Sequence, residues 1–321
     1  MKNKVHMQDK EEYYPIYEGC GNTFIIFHVK DSEDVFSLKN SPEKLKKLAS
    51  IGLEKGVDSI MVVSGNPSEY KKQKYHVTMD VFEPHGFLYD TPGSGWSTMC
   101  GNGIRGVAEY LFDNFLKQDE FIIETRSGRQ TVTKMNDVWK VNMGYFTDEK
   151  KDVSKYVFAN FPVLGTDLGV NIRENSLENT VDIGFHCLSK NAKDGEPHAI
   201  MWSTQFSSME ELIEVTQKVG KVVTSHGIFP KGINTSVAYV KNIDYELQCV
   251  HVYSATYERN IFYVTRACGT AATAIGSLLL KKMELSAPWK VYVHMPGGTL
   301  TIECGKSGSF FMVGPAHKVA S

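Results

Sequence analysis

Two segments half a chain apart share one chemical design: Met99-Cys100-Gly101-Asn102-Gly103 and Ala267-Cys268-Gly269-Thr270-Ala271. In each, a cysteine precedes small, flexible residues and then a helix-length run with an apolar stripe. After Cys100, Ile104, Val107, Ala108, Leu111, Phe112, Phe115 and Leu116 alternate steps of three and one, the strongest helical period in the chain. After Cys268, Ala271, Ala274, Ile275, Leu278 and Leu279 line one side. A buried helix opened twice in the same way predicts two related halves, each packing strands around its helix. A helix N-terminus also offers unpaired N–H groups and a partial positive charge. Each cysteine therefore stands where an anion is held and a thiolate is favoured.

The segments around these two points support that division. Phe24 to Val29 and Ile60 to Val63 read as strands, and Ser41-Pro42-Glu43 reads as a capped helix start followed by Leu45, Leu48 and Ile51. Beyond the first helix, Phe121 to Glu124, Gln130 to Lys134 and Val138 to Asn142 predict antiparallel strands, with a linker near Met143–Asp148. The second half predicts strands at Val181–Cys187, Ala199–Trp202, Ser236–Val240, Tyr245–Tyr253 and Phe262–Val264. A helix is expected from about Met209 to Lys221.

Bulk properties exclude several classes. The net charge is −2 and charged residues make up 22% of the chain. No basic run beyond the Lys44-Lys46-Lys47 face suggests a polyanion, and no nucleic-acid motif is present. The N-terminus lacks the apolar core of a signal peptide, and no apolar run approaches a membrane span of ~18 residues. A cytoplasmic location, with neither membrane nor nucleic acid as partner, is the expectation. Six cysteines without zinc-ligand spacing imply reduced, individually placed thiols and no metal site.

An isolated cysteine is usually inert packing, and Cys20, Cys187, Cys249 and Cys304 are read that way. Cys100 and Cys268 differ, because each carries a glycine on its C-terminal side and opens a helix. Further motifs surround them. Glu18-Gly19-Cys20-Gly21-Asn22-Thr23-Phe24, Cys100-Gly101-Asn102-Gly103-Ile104-Arg105, Gly195-Glu196-Pro197-His198 and Phe229-Pro230-Lys231-Gly232-Ile233-Asn234 occur in that order. Glu258-Arg259, Thr265-Arg266-Ala267-Cys268-Gly269-Thr270, Pro296-Gly297-Gly298-Thr299-Leu300 and Gly314-Pro315-Ala316 follow. Taken together, these resemble the diaminopimelate epimerases and related amino-acid racemases that work without pyridoxal phosphate, histidine racemases among them.

The resemblance implies an α/β fold of two pseudo-symmetric domains, each a curved, mainly antiparallel sheet around a central helix. Residues 1–145 with about 309–321 would form one domain and 146–308 the other, the strand near Phe310–Val313 returning to the first. It implies an isomerase without cofactor, acting on a small amino acid and often dimeric. In the implied two-base mechanism, Cys100 and Cys268 serve opposite faces of Cα. The N–H groups of Gly101, Asn102, Gly269 and Thr270 hold the carboxylate, and Asn22 lies near the substrate. Glu196, Asn234, Glu258 and Arg259 would read the side chain.

Departures from the family pattern bear on the substrate. Thr23 stands where the family has Asp, and Glu196 where its G-N-P-H motif has Asn. The Asn expected ahead of the first cysteine is missing, with Thr91 its nearest equivalent. A carboxylate at Glu196 would repel a distal carboxylate at a cost of several kcal/mol. It points to a neutral or cationic side chain such as histidine, lysine or ornithine. If Glu196 instead faces solvent or pairs with a neighbouring Lys or Arg, diaminopimelate remains the alternative substrate. Arg266 is expected to reach solvent. A Cys-His dyad drawn from His198 or His226 leaves the second cysteine unexplained, and Ser94 and Ser97 form no G-x-S-x-G elbow. An isomerase of unsaturated acids, as in phenazine-biosynthesis relatives, lacks the paired cysteines, and an amino-acid-binding protein is the non-catalytic rival.

Overall fold

The computed structural model describes residues 14–87, 95–97, 99–148, 181–187, 196–203, 206–225, 229, 232–259 and 261–319. Thr91, Gly195, His226 and Pro230-Lys231 lie outside the described residues.

In the first half, β1 (Ile16–Gly19) and β2 (Asn22–Val29) form a hairpin, followed by α1 (Ser32–Lys39), α2 (Pro42–Glu54) and β3 (Ser59–Ser64). The short α3 (Tyr70–Gln73), β4 (Val77–Phe82), α4 (Pro84–Phe87) and β5 (Trp96–Ser97) lead to α5 (Gly101–Asn114). β6 (Glu120–Thr125), β7 (Gly128–Met135) and β8 (Val138–Asp148) complete the half. The second half comprises β9 (Val181–Cys187), β10 (Glu196–Trp202), α6 (Met209–Val223), β11 (Asn234–Asp244), β12 (Cys249–Tyr257) and α7 (Gly269–Lys282). β13 (Lys290–Met295), β14 (Gly298–Cys304), β15 (Phe310–Pro315) and β16 (His317–Lys318) follow.

The pairing pattern is the same in both halves. β1–β2 is antiparallel, β2–β3 parallel, β3–β4 antiparallel, β4–β6 parallel, and β6–β7 and β7–β8 antiparallel. β9–β10, β10–β11, β11–β12, β12–β13, β13–β14 and β14–β15 repeat that order. Each parallel pair needs a helical crossover. The outer crossovers are α1 and α2 in one half and α6 in the other, and the inner ones are α5 and α7. The fold is therefore α/β, with two mainly antiparallel curved sheets each wrapped around a helix. β8 and β15 pair directly, Met312 opposite Val141, which closes the second half into a ring and joins it to the first.

Local sequence explains the helix starts. Ser41 caps α2 by accepting from the Lys44 N–H, with Pro42 in the first turn, as the sequence predicts. Ser208 caps α6 through the Glu211 N–H, and the Glu211 carboxylate reaches back to Ser207. α7 is buried from Gly269 to Leu280, so packing rather than amphipathicity holds it. One apolar core joins α5 and α7, through Ile104, Val107, Leu111, Ile275, Leu279 and Met312. Separate clusters lie under α1–α2 and under α6.

Three sequence expectations need correction. The linker placed at Met143–Asp148 is the continuation of β8, whose polar end pairs Tyr145–Asp148 with Cys187–Gly184 of β9. Tyr245–Gln248 is a turn, and the strand runs instead from Cys249 to Tyr257. Phe262–Val264 makes a single bridge, Tyr257 to Val264. No helix among the described residues is long and apolar enough to cross a membrane.

Candidate active site

The two cysteines occupy equivalent places. Cys100 is the N-cap of α5 at φ −130°, ψ 107°, and Cys268 the N-cap of α7 at φ −125°, ψ 112°. The helix starts abut: a Cβ built on Gly269 would lie 3.2 Å from the Gly101 Cα, and one on Gly101 would lie 3.5 Å from the Gly269 Cα. Any side chain at either glycine would force the helix ends apart. The first-turn N–H groups of Gly101, Asn102, Gly269 and Thr270, which helix geometry leaves without an intrahelical acceptor, therefore converge on one cavity. Its lining includes both cysteines with Asn22, Asn102, Asn234, Glu196, Glu258 and Thr270.

Each thiol has a local partner. The Gly103 N–H donates to the Cys100 Sγ at 3.2 Å, and the Cys268 Sγ lies 3.4 Å from the Thr270 hydroxyl. Helix starts are expected to favour thiolates, but burial overrides that preference in the ligand-free protein. Desolvation pushes Cys100 up to about 12, against the Gly103 N–H, and Glu258 and Glu83 push the same way. Cys268 is raised well above its usual value by burial and by Glu258. Among the described residues, the other thiols, Cys20, Cys249 and Cys304, are also free.

Asn22 lines the cavity, yet its side chain is engaged: Nδ2 donates to the Ala267 carbonyl at 2.7 Å, and Oδ1 accepts the Ala267 N–H at 3.1 Å. Asn102 Nδ2 donates to the same carbonyl at 3.1 Å. These two asparagines of the first half clamp the residue before Cys268. Expected as a substrate contact, Asn22 is in this structure a positioner of the second cysteine.

Glu196, Asn234 and Arg259 interlock. Arg259 NH2 donates to one Glu196 oxygen at 3.0 Å, Asn234 Nδ2 to the other at 2.9 Å, and the Arg259 N–H to Asn234 Oδ1 at 3.0 Å. Glu196 thus pairs with an arginine, and the pair is mostly shielded from water. Glu258 accepts from the Thr265 hydroxyl at 2.5 Å and is pushed up to about 8, chiefly by burial. Arg266 is exposed, as expected.

Sequence reasoning missed Asp58, Glu83 and Ser97, which also line the cavity. Burial pushes Glu83 up to about 7, opposed by a hydrogen bond from Ser97. It ends the apolar strand β4, where no periodic pattern marks it. Its place between that strand and Cys100 was the one available signal. Asp58 accepts the Thr23 N–H at 2.8 Å, so a carboxylate from another loop meets the residue that replaces the family's Asp. Among the described residues, no group of three or more His, Cys, Asp or Glu is arranged to hold a metal ion.

Comparison with known proteins agrees with this geometry. Residues 191–319 match the family model for diaminopimelate epimerase. The chain is 27% identical over 314 residues to a diaminopimelate epimerase of Leptospira biflexa, covering 95% of each chain. It is 28% identical over 304 residues to one of Bacillus cereus, covering 94% of this chain and 93% of the relative. Among solved structures, an epimerase of Pseudomonas aeruginosa superposes with a TM-score of 0.62 at 11% identity, covering 96% of both chains. A proline racemase of Agrobacterium radiobacter superposes at 0.59 and 11% identity, covering 96% of this chain and 91% of the other. With sequence similarity running along nearly its whole length, the chain belongs to the diaminopimelate epimerase family and is an isomerase of the epimerase and racemase class.

Proposed function

We propose that this isomerase inverts the Cα of a free amino acid with Cys100 and Cys268 as its two bases. The observation that carries the reading is the abutment of two cysteine-capped helix starts at Gly101 and Gly269. One cysteine, as thiolate, takes the Cα proton, while the other, as thiol, gives its proton to the opposite face. The product leaves with the roles exchanged, so the reverse reaction uses the same pair. No Schiff base is required if the charge building on the α-carboxylate is met by the N–H groups of Gly101, Asn102, Gly269 and Thr270. A single such donor is worth about 3 kcal/mol in a water-excluded site. Asn22 and Asn102 keep Cys268 in register through Ala267.

The substrate has a neutral or cationic side chain, histidine being one candidate. The observation that favours this over diaminopimelate is that Arg259 is bonded to Glu196, so its charge already has a partner. Diaminopimelate, the substrate named for the curated relatives, is the second reading. The test is Cα deuterium uptake in D2O with a panel of L-amino acids and meso-diaminopimelate. Cys100→Ser and Cys268→Ser are each expected to reduce exchange by a factor of about 1,000 or more. Exchange at the unmodified rate in both variants overturns the mechanism, and ligand binding without any exchange in the unaltered protein leaves a binding module.

A further inference from the structure

The cavity between the helix starts carries more negative charge than its positive charge can balance. Asp58, Glu83, Glu196 and Glu258 all line it. Arg259 acts on Glu83 as well, but its guanidinium is bonded to Glu196. Asp58 is held by the Thr23 backbone. Glu83 and Glu258 receive hydroxyl hydrogen bonds, from Ser97 and Thr265. Hydroxyl donors do not replace the hydration that a carboxylate loses on burial.

A second, independent observation concerns Asn102. It is 1% exposed and lines the same cavity; its Nδ2 is fixed on the Ala267 carbonyl, and its Oδ1 has no hydrogen-bond partner. A buried acceptor in that state requires a donor. Two carboxylates and an unfilled amide oxygen make an acceptor-only environment, which suits a ligand with several N–H donors. The acids are not arranged to chelate a metal ion, so an organic cation fits them better. An amino acid brings one ammonium at Cα, and its side chain must answer the rest.

Resting on the proposed Cα chemistry, we infer that Glu83 and Glu258 form a subsite for a cation on the substrate's side chain. The amino acids inverted here carry an ammonium, guanidinium or imidazolium group. The bonded pair of Glu196 and Arg259 forms a wall of this subsite and does not receive a distal carboxylate. Because Glu83 and Glu258 both act on Cys100, a cation between them also favours the thiolate there. Loss of the side-chain charge should therefore lower turnover as well as binding.

The test compares L-lysine with L-norleucine, and L-arginine with L-citrulline, each pair differing at the cationic end, with meso-diaminopimelate alongside. Deuterium uptake at Cα and calorimetric binding are measured for the unaltered protein, Glu83→Gln and Glu258→Gln. The cationic member of each pair is expected to lead in kcat/KM by on the order of 100-fold. Either variant should cut that ratio about 30-fold, the scale of removing one partner of a buried charge pair. The ratio is internal to each variant, so a general loss of fold does not imitate it. Equal exchange of norleucine and lysine, a preference for diaminopimelate, or a ratio unmoved by both variants overturns the subsite while leaving the cysteine mechanism standing. Lysine binding that is weakened in Glu83→Gln, without exchange of any amino acid, supports the subsite and overturns the mechanism instead.

Discussion

At the scale of single residues, the thiols set the problem. A cysteine at a helix start has its thiolate favoured by the N-terminal dipole, and Gly103 does donate to Cys100. Burial acts in the other direction, and here it is larger, since it carries Cys100 up to about 12. Deprotonation then occurs only as pH approaches that raised value, so at neutral pH the ligand-free site holds both thiols protonated. Alkylation of Cys100 and Cys268 by iodoacetamide, followed by peptide mass spectrometry, should be slow at neutral pH and still accelerating above about pH 9. A plateau near pH 7 would mean that the helix ends outweigh burial. A bound cation beside Glu83 and Glu258 is expected to shift the alkylation profile to lower pH.

At the scale of elements, close approach decides which positions tolerate change. Gly220 lies on α6, and replacing a helix-interior glycine by alanine ordinarily stabilises by up to about 1 kcal/mol. Here a Cβ would stand 2.2 Å from Tyr257 Cγ and 2.3 Å from Tyr257 Cβ, atoms tied closely to the backbone of β12. Gly220→Ala should therefore reverse sign and destabilise by roughly 1–3 kcal/mol, the usual cost of overpacking. Urea unfolding of the two proteins checks this. A gain in stability would show that α6 rides on its sheet with slack. The same reasoning makes Gly101 and Gly269 the two positions where an added methyl would part the helix ends.

At the scale of the whole molecule, one continuous core and the pairing of β8 with β15 couple the halves, so the cavity's charge acts on the stability of the entire fold. Glu83 and Glu258 are raised from 4.5 to about 7 and about 8. The folded state therefore binds protons that the unfolded chain has released. Their contribution is fully present below the unfolded value and lost as pH rises through the folded values. The thermal midpoint of the ligand-free protein should fall between about pH 5 and pH 8, and the double substitution Glu83→Gln, Glu258→Gln should flatten that fall. A midpoint that rises across this window in the unaltered protein would contradict the burial of these groups.

The sequence by itself determined the reaction centre and the division into two like halves. Cysteine, glycine and the 3.6-residue period are local signals, and Cys100 and Cys268 announce themselves within a few residues of their own helices. Most strand positions were legible for the same reason, whereas the polar end of β8 read as a linker because its partner, β9, lies beyond a long intervening segment. Tertiary structure alone decided how the cavity is furnished. Asn22 reaches Ala267 across 245 positions and Arg259 reaches Glu196 across 63. Glu83 enters because the end of β4 comes to the cavity, not because of any pattern around it. Burial and charge pairing belong to the assembled cavity and not to a stretch of chain. The sequence therefore showed where the thiols are, and the fold determined that they lie protonated among carboxylates.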